Sequence, residues 1–388
     1  MKWRDNAVLA VPHVQIIERL RWGVHSWVKS RPASPAEAGK TAGRAAPGGF
    51  APREKTILCM MASLLALMFV FSLMLGRRIM PPGLVLKVLL GGIWPLDASL
   101  SRDAEIVILS VRLPRIAAAM LVGAALSTSG AAFQGIFRNP LVSPDILGVS
   151  TGAGLGAAMA ILYSLEPVVI QAMAFTFGMI AVGAAYIIGS WRARAGGEAV
   201  LILVLSGMII GAVFSAFISL VKFTADPYNI LPAITFWLMG SLSSVSAGDV
   251  SLVSVPILAG LLLVHSVRWR LNVLSFGDEE AYAMGVNVRR VRFAVIAGAT
   301  LMTASAVAIS GVIGLVGLVA PHLARLLVGP NYRVLLPACM LVGALFLLVV
   351  DDLVRTLFIA EMPLGILTSL IGAPFFIYLL SNLRKGWG

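Results

Sequence analysis

The chain has 388 residues, of which 59% are hydrophobic and only 12% are charged. Soluble domains carry about one quarter charged residues, so this composition excludes an ordinary soluble protein. The net charge of +12 does not indicate a nucleic-acid-binding protein, because the basic residues flank apolar runs as in the cytoplasmic loops of membrane proteins. Two cysteines and four scattered histidines give no disulfide framework and no metal-ligand pattern.

Residues 1–55 are predicted to form a basic cytoplasmic tail that is partly disordered, since much of the segment is rich in Ala, Pro and Gly. Within it, residues 7–28 fit an amphipathic helix on an anionic membrane surface. The Gly-Lys-Thr sequence at 39–41 resembles the end of a phosphate loop. We reject a nucleotide site there, because Ser34 stands where the loop needs glycine and the flanks are rich in proline. The predicted membrane domain is 56–388.

The apolar runs of that domain approach the roughly 20 residues that a helix needs to cross the hydrocarbon core. We predict an all-α polytopic membrane protein with ten transmembrane helices and a short re-entrant piece at 233–242. The spans are placed at about 56–76, 116–136, 147–164, 168–190, 199–219, 250–267, 293–311, 313–328, 335–350 and 364–381. Ten spans put both termini on one side, and most basic residues then lie in the inner segments, so both termini are expected in the cytoplasm.

Small residues are dense in the predicted spans. The sequence Gly152-x-Gly154 has the spacing of part of a nucleotide fingerprint, but it opens no βαβ unit. In lipid, small residues let helices approach closely, so this pattern predicts helix packing.

A polar island at 274–290 separates two long apolar runs. Three consecutive acids open it, where the dipole of a short helix favours negative charge. Gly277 permits a sharp entry and Gly285 a sharp exit. Three arginines follow and hold the island on the cytoplasmic side. The pattern indicates a handle for a soluble partner, with an ordinary solvated loop as the alternative.

Four sequence blocks carry a resemblance to a known family. They are Arg112-Leu113-Pro114-Arg115, the glycine- and proline-containing stretch 129–150, the acidic island 277–285, and the stretch 311–325 continued at Leu364-Gly365. Together and in this order, they resemble the FecCD-type permeases, the membrane subunits of ABC importers for ferric siderophores, heme and vitamin B12. The resemblance covers residues 60–385 and leaves the tail outside it.

The resemblance implies the type II ABC importer permease fold in a bacterial inner membrane. It implies a homodimer of twenty helices, two cytoplasmic ATPase subunits and a periplasmic substrate-binding protein. The chain itself would be a non-catalytic transport subunit without a metal or cofactor, since ATP and Mg would be held by the partner ATPase. Nucleic acid is not an expected partner, whereas membrane lipid is.

The resemblance also assigns a role to the island, as the coupling helix that docks in a cleft of the ATPase. Its acids are expected to pair with basic residues of the ATPase, and Ala281 and Met284 to supply apolar contact. The residues assigned to this helix are Gly277, Asp278, Glu279, Glu280, Ala281, Met284 and Gly285.

Three arginines, Arg112, Arg115 and Arg355, match positions that receive glutamates of the binding protein in related vitamin B12 permeases. A guanidinium suits that role, because it stays charged and binds a carboxylate through two hydrogen bonds. Arg112 and Arg115 share a helix face if the helix continues through Pro114. The alternatives are arginines that extend to the membrane interface or that pair with the adjacent acids at 351–352.

The break at Asn139-Pro140-Leu141 matches the cytoplasmic gate of the family, in which the residues at Asn139 and Leu141 close the path. Irregular backbone at membrane depth is tolerated only where protein or a water-filled cavity covers it. A simple interhelical turn is the alternative. By family analogy, Ser206, Ser215 and Ser219 line the translocation path.

Two other classes of protein fit the sequence less well. A secondary transporter needs ionisable residues within its spans, and we find no mid-span acids. An intramembrane enzyme needs a catalytic constellation, and His322 is the one candidate, which fits packing or capping better. Among substrates of the family we expect an iron complex, heme or a ferric siderophore, with vitamin B12 or an oxyanion as the alternative.

Overall fold

The computed structural model of the protein describes residues 50–76, 79–91, 102–193, 199–357 and 362–383. All regular structure within these ranges is helical. The helices are α1 (Pro52–Met74), α2 (Pro82–Gly91), α3 (Arg102–Glu105), α4 (Leu113–Phe137), α5 (Val149–Leu162), α6 (Pro167–Ala193), α7 (Ala199–Thr224), α8 (Ile230–Met239), α9 (Ala247–Ser266), α10 (Arg268–Leu274), α11 (Asp278–Ala283), α12 (Val288–Ser310), α13 (Val316–Val328), α14 (Tyr332–Leu357) and α15 (Leu364–Leu383). A π-helical segment, Ile106–Arg112, joins α3 to α4, and a 3₁₀ turn, Pro144–Leu147, precedes α5. The amphipathic helix predicted at 7–28 lies outside the described residues.

Seven helices in the described part of the chain are long and apolar enough to cross a membrane. They are Pro52–Met74, Asp103–Phe137, Pro167–Arg192, Val200–Thr224, Ala247–Ser266, Val288–Ser310 and Tyr332–Leu357. The remaining predicted spans fall on the shorter apolar stretches Val149–Leu162 and Val316–Val328 and on α15. The all-α membrane fold is therefore confirmed, and the count of ten spans stays a prediction.

Helix α4 packs against α12, α13 and α14 and is buried over most of its length. Its contact with α14 depends on glycine. A methyl group at Gly123 would overlap the carbonyl oxygen of Gly343, and one at Gly343 would overlap that of Gly123. The two backbones therefore touch directly, as small residues allow between helices in lipid.

Helices α5 and α6 are held together in the same way. A Cβ added to Gly152 would lie 2.5 Å from the carbonyl oxygen of Phe177, and one at Gly156 would overlap the carbonyl oxygen of Met173. These contacts confirm that the glycines near 152 serve helix packing.

Candidate functional site

The predicted island forms the six-residue helix α11, which lies between α10 and α12. Gly277 precedes it with φ of +136°, a conformation that only glycine adopts without strain. A side chain at 277 would also overlap the Glu280 carboxylate. Gly285 follows with φ of +78° and redirects the chain towards α12. Both glycines therefore have the backbone roles that the sequence predicted.

The exposed face of α11 combines acids with large apolar side chains. Glu279 and Glu280 are exposed, and Met284 is 50% exposed. Tyr282 is 59% exposed and Phe276, just before the helix, is 72% exposed, although neither was assigned a role from the sequence. An exposed apolar group of this kind, next to charges, is typical of a protein interaction site.

Ala281 corrects one expectation. It is fully buried, because it faces the apolar core beneath α11, and so it cannot supply apolar contact to a partner. Met284, Tyr282 and Phe276 provide that apolar surface instead.

Asp278 joins α11 to neighbouring helices through ion pairs and is not a free acid on the surface. Its Oδ2 lies 2.9 Å from Nη2 of Arg292 in α12, and its Oδ1 lies 3.5 Å from Nη2 of Arg138 at the end of α4. The Arg292 side chain is only 12% exposed, so Asp278 supplies its counter-charge.

Two hydrogen bonds of Asn272 join α10 to the start of α14. The Asn272 amide nitrogen donates to Oδ1 of Asn331 at 2.9 Å, and Oδ1 of Asn272 accepts from the backbone N–H of Tyr332 at 2.8 Å. The α10–α11 segment is thus tied to α4, α12 and α14 at one end of the bundle, which we call the α11 end.

The break after α4 lies at the α11 end as well. Oδ1 of Asn139 accepts a hydrogen bond from the Leu141 backbone N–H at 2.9 Å, which closes a local turn, and both residues are exposed. Behind the turn, Nη2 of Arg325 donates to Oε1 of Gln134 at 3.1 Å. A cavity of about 490 Å³ lies between Asn139 and Phe276. The gating role of this turn stays a prediction.

The three serines of α7 are not equivalent. Ser206 is buried and donates to the carbonyl of Ile202 at 2.8 Å, so it is not on the exposed side of α7 in this conformation, and its place on the path stays a prediction. Ser215 and Ser219 lie on the exposed side of the helix, and the Ser219 hydroxyl donates to the Ser215 carbonyl at 3.0 Å.

The three arginines that were predicted to dock the binding protein lie at the end of the bundle opposite to the α11 end, which we call the far end. Nε of Arg115 donates to Oδ1 of Asp351 at 2.9 Å, and Nε of Arg355 lies 3.2 Å from Oδ2 of the same carboxylate. Arg355 also pairs with Asp352 and donates to Oγ of Ser72 at 2.6 Å. The pairing of arginines with Asp351 and Asp352, one of the alternatives drawn from the sequence, is therefore confirmed.

Arg112 is only 6% exposed and donates to the Leu73 carbonyl oxygen at 2.7 Å.

The helix does continue through Pro114, which is the condition for Arg112 and Arg115 to share a helix face. Pro114 has no N–H to donate, and the preceding Leu113 N–H bonds to the carbonyl of Ile108, five residues back, in the π-helical pattern. All three arginine side chains already have partners within the chain. Docking of a binding protein at Arg112, Arg115 and Arg355 stays a prediction.

No group of three His, Cys, Asp or Glu residues that could hold a metal ion occurs within the described ranges. His322 is buried in α13. Many apolar helices of spanning length and an exposed short helix held by ion pairs at one end define the class of the protein as a polytopic helical membrane protein.

Comparison with known proteins then gives the family. The FecCD transport family matches residues 64–382. The chain is 41% identical over 334 residues to the molybdate import system permease protein MolB of Haemophilus influenzae, which covers 85% of this chain and 96% of that one. It is 42% identical over 280 residues to a probable iron chelatin transport system permease protein of Helicobacter pylori, which covers 72% of this chain and 84% of that one.

A solved structure of a metal-chelate type ABC transporter in an inward-facing conformation is similar to this chain, with a TM-score of 0.75 and 39% identity. The similarity covers 84% of this chain and 99% of that one. The chain belongs to the FecCD transport family. It is a non-catalytic permease subunit of an ABC importer, in which a separate subunit hydrolyses ATP.

Proposed function

We propose that this permease moves an iron complex, heme or a ferric siderophore, from a periplasmic binding protein to the cytoplasm by alternating access. It works in a bacterial inner membrane as a homodimer with two cytoplasmic ATPases, and both of its termini are cytoplasmic. ATP and Mg are held by the ATPases. The observation that carries the proposal is α11, an exposed acidic helix that Asp278 binds to α4 and α12, next to α10, which Asn272 binds to the start of α14.

The composition of the α11 surface supports an ATPase as its partner. Glu279 and Glu280 offer charge to a basic cleft, while Phe276, Tyr282 and Met284 offer aromatic and thioether contact. Aromatic side chains and methionine are enriched in the buried centres of protein interfaces, and complementary charges at the rim set the orientation. A helix anchored at both sides can pass on the displacement of a bound partner to the spans as a rigid unit.

The proposed outer site is the arginine network at the far end. A carboxylate of the binding protein would have to replace Asp351 or Asp352 at Arg115 or Arg355, because these pairs are already formed. A carboxylate that displaces Asp351 from Arg115 leaves Asp351 still paired with Arg355, so neither the guanidinium nor the buried aspartate is left alone.

The proposed inner part of the path consists of the turn at Asn139 and Leu141 and the exposed face of α7. Leu141 is 46% exposed, so its side chain is available to close against a second copy. Ser215 and Ser219 share α7 with exposed apolar side chains such as Phe217 and add weak polarity, which suits a ligand that must be released again.

The iron complex is favoured by the relationship to the Helicobacter pylori permease and to the metal-chelate transporter structure. An oxyanion is a second candidate, because the molybdate permease is similar along 96% of its own length. Vitamin B12 is the remaining alternative within the family.

Reconstituted vesicles test the proposal. The permease is combined with its cognate ATPase and binding protein, and the uptake of heme, a ferric siderophore, cobalamin and molybdate is measured with ATP inside or with an imposed proton or sodium gradient. ATP-dependent uptake of an iron complex is expected. Uptake driven by an ion gradient alone would reject the importer mechanism, whereas ATP-driven uptake of molybdate or cobalamin would reject the substrate.

A further inference from the structure

Arg138 has an unusual backbone. It ends α4 in the left-handed region, with φ of 50° and ψ of 34°. Glycine takes this conformation at the ends of helices without steric cost, whereas a long side chain does not. Within the described ranges, Ser164 and Leu315 are the other non-glycine residues with positive φ. Strain of this kind persists where the surrounding structure, or a function, requires the side chain.

The Arg138 side chain reaches α11. Its Nη2 lies 3.5 Å from Oδ1 of Asp278, which is the first residue of that helix. The other oxygen of Asp278 is bound by Arg292 at 2.9 Å, so the carboxylate is held from the α12 side and faces Arg138 from a fixed position. One ion pair therefore joins the residue directly before the Asn139 turn to the proposed coupling helix.

The space around this pair allows movement. The cavity of about 490 Å³ has Asn139 and Pro140 on one wall and Ser275 and Phe276 on another, so the turn and the segment before α11 are not tightly packed against each other there. The pair is partly exposed, with the Arg138 side chain 43% accessible, and such pairs contribute little to stability. Its value is then positional, because it favours one distance between the turn and α11 across the side of the cavity where they are not packed together.

We propose that Arg138 is a positioning residue that transmits the displacement of α11 to the turn at 139–141. This inference rests on the proposed function, in which α11 receives force from an ATPase and the turn closes the path. Movement of α11 draws Asp278 with it, and the Arg138 pair carries the turn along. Without the pair, the ATPase still hydrolyses ATP, but a displacement of α11 moves the turn at 139–141 less.

The test measures substrate moved per ATP hydrolysed in the reconstituted complex, using the best substrate found for the wild-type protein. Arg138→Gly removes the side chain and relieves the backbone, so the variant folds at least as well as wild type. We expect the transport ratio to fall about fivefold, within the usual range of coupling effects, while ATPase binding stays unchanged. Arg138→Lys, which keeps the charge, restores part of the ratio.

Ser164→Gly is the matched control, because it makes the same backbone change at an exposed position in the α5–α6 connection. It should leave the ratio unchanged. Asp278→Asn should lower the ratio, because it breaks the Arg138 link as well as the Arg292 pair, and adding Arg138→Gly to it should lower the ratio little further, because the Arg138 link is already lost. Fully additive losses would mean that the two residues act separately and would overturn the inference.

An unchanged ratio in Arg138→Gly, with normal wild-type uptake, would also overturn the inference and leave the proposed function intact. Absence of ATP-driven uptake in the wild-type complex would remove the proposed function, and the inference with it. The two failures are therefore distinguishable in the same set of vesicles.

Discussion

Nη2 of Arg115 lies 2.8 Å from Oδ1 of Asp351, and both side chains are largely buried at the far end of the bundle. Removing one partner of a buried pair leaves an uncompensated charge, which typically costs about 3–5 kcal/mol. Asp351 also faces Arg355, so Asp351→Asn weakens two contacts at once. We expect this variant to lose roughly 3 kcal/mol of unfolding free energy, measured by denaturation in detergent.

The control for that variant is Glu166→Gln, which removes a carboxylate from the exposed connection between α5 and α6. Exposed charges contribute little, so its stability should stay within about 0.5 kcal/mol of wild type. Equal stability of the two variants would show that the Asp351 pairs are not important for folding.

The glycine contact between α4 and α14 gives a second prediction. Gly123→Ala places a methyl group against the Gly343 carbonyl oxygen, which forces the helices apart and should destabilise the protein by about 1–3 kcal/mol. Gly183→Ala in α6 meets nothing within 4 Å and should be neutral or slightly stabilising. Thermal unfolding of both variants in detergent checks this, and equal melting temperatures would contradict direct backbone contact.

Tyr282 is expected to be an anchor for the ATPase. Truncating a central aromatic residue of an interface commonly costs about 2 kcal/mol or more, so Tyr282→Ala should weaken ATPase binding roughly 30-fold. Tyr163→Ala removes a similarly exposed ring from the α5–α6 connection and should not change binding. Affinity measured with the purified ATPase distinguishes them, and a loss shared by both variants would argue against a specific role for α11.

The outer docking proposal predicts the effect of Asp352→Asn. This change removes one carboxylate that competes for Arg355, so a binding protein that offers its own carboxylates should bind a few-fold more tightly. Arg355→Gln, which removes the guanidinium itself, should weaken binding. Weaker binding in both variants would indicate a purely structural network, and the salt dependence of the affinity gives an independent check.

Orientation can be tested with single cysteines in a background where Cys59 and Cys339 are replaced. Glu279→Cys and Tyr163→Cys place a thiol at the α11 end and in the α5–α6 connection, respectively, both at exposed positions. An impermeant maleimide applied to intact spheroplasts should label position 163 at once and position 279 only after permeabilisation. The reverse pattern would contradict cytoplasmic placement of α11.

Much of the fold could be predicted from the sequence, because apolar runs of spanning length fold as helices whatever their partners. The backbone roles of Gly277 and Gly285, on either side of α11, could also be predicted, because glycine is the residue that adopts positive φ without strain. Ala281 was misassigned because a six-residue helix is too short for a periodic pattern to show which side is buried.

The pairing of Arg138 with Asp278 joins residues 140 positions apart, and no local spacing indicates such a contact. The burial of Ser206 could not be predicted for a related reason: α7 is apolar all round, so its hydroxyl groups do not show which face packs inward. The burial of Arg112, Arg115 and Arg355 required knowledge of how α1, α4 and α14 meet, whereas Asp351 and Asp352 were recognisable as candidate partners.

Helix α4 carries Arg115 near one end and leads directly to Arg138 at the other. Its 25 residues extend about 37 Å, so a tilt of about 5° around the midpoint would shift the two ends by roughly 1.6 Å in opposite directions. If α4 moves as one rigid rod, a shift at either end is accompanied by a shift at the other. Events at the α11 end and at the far end would then share a single mechanical coordinate.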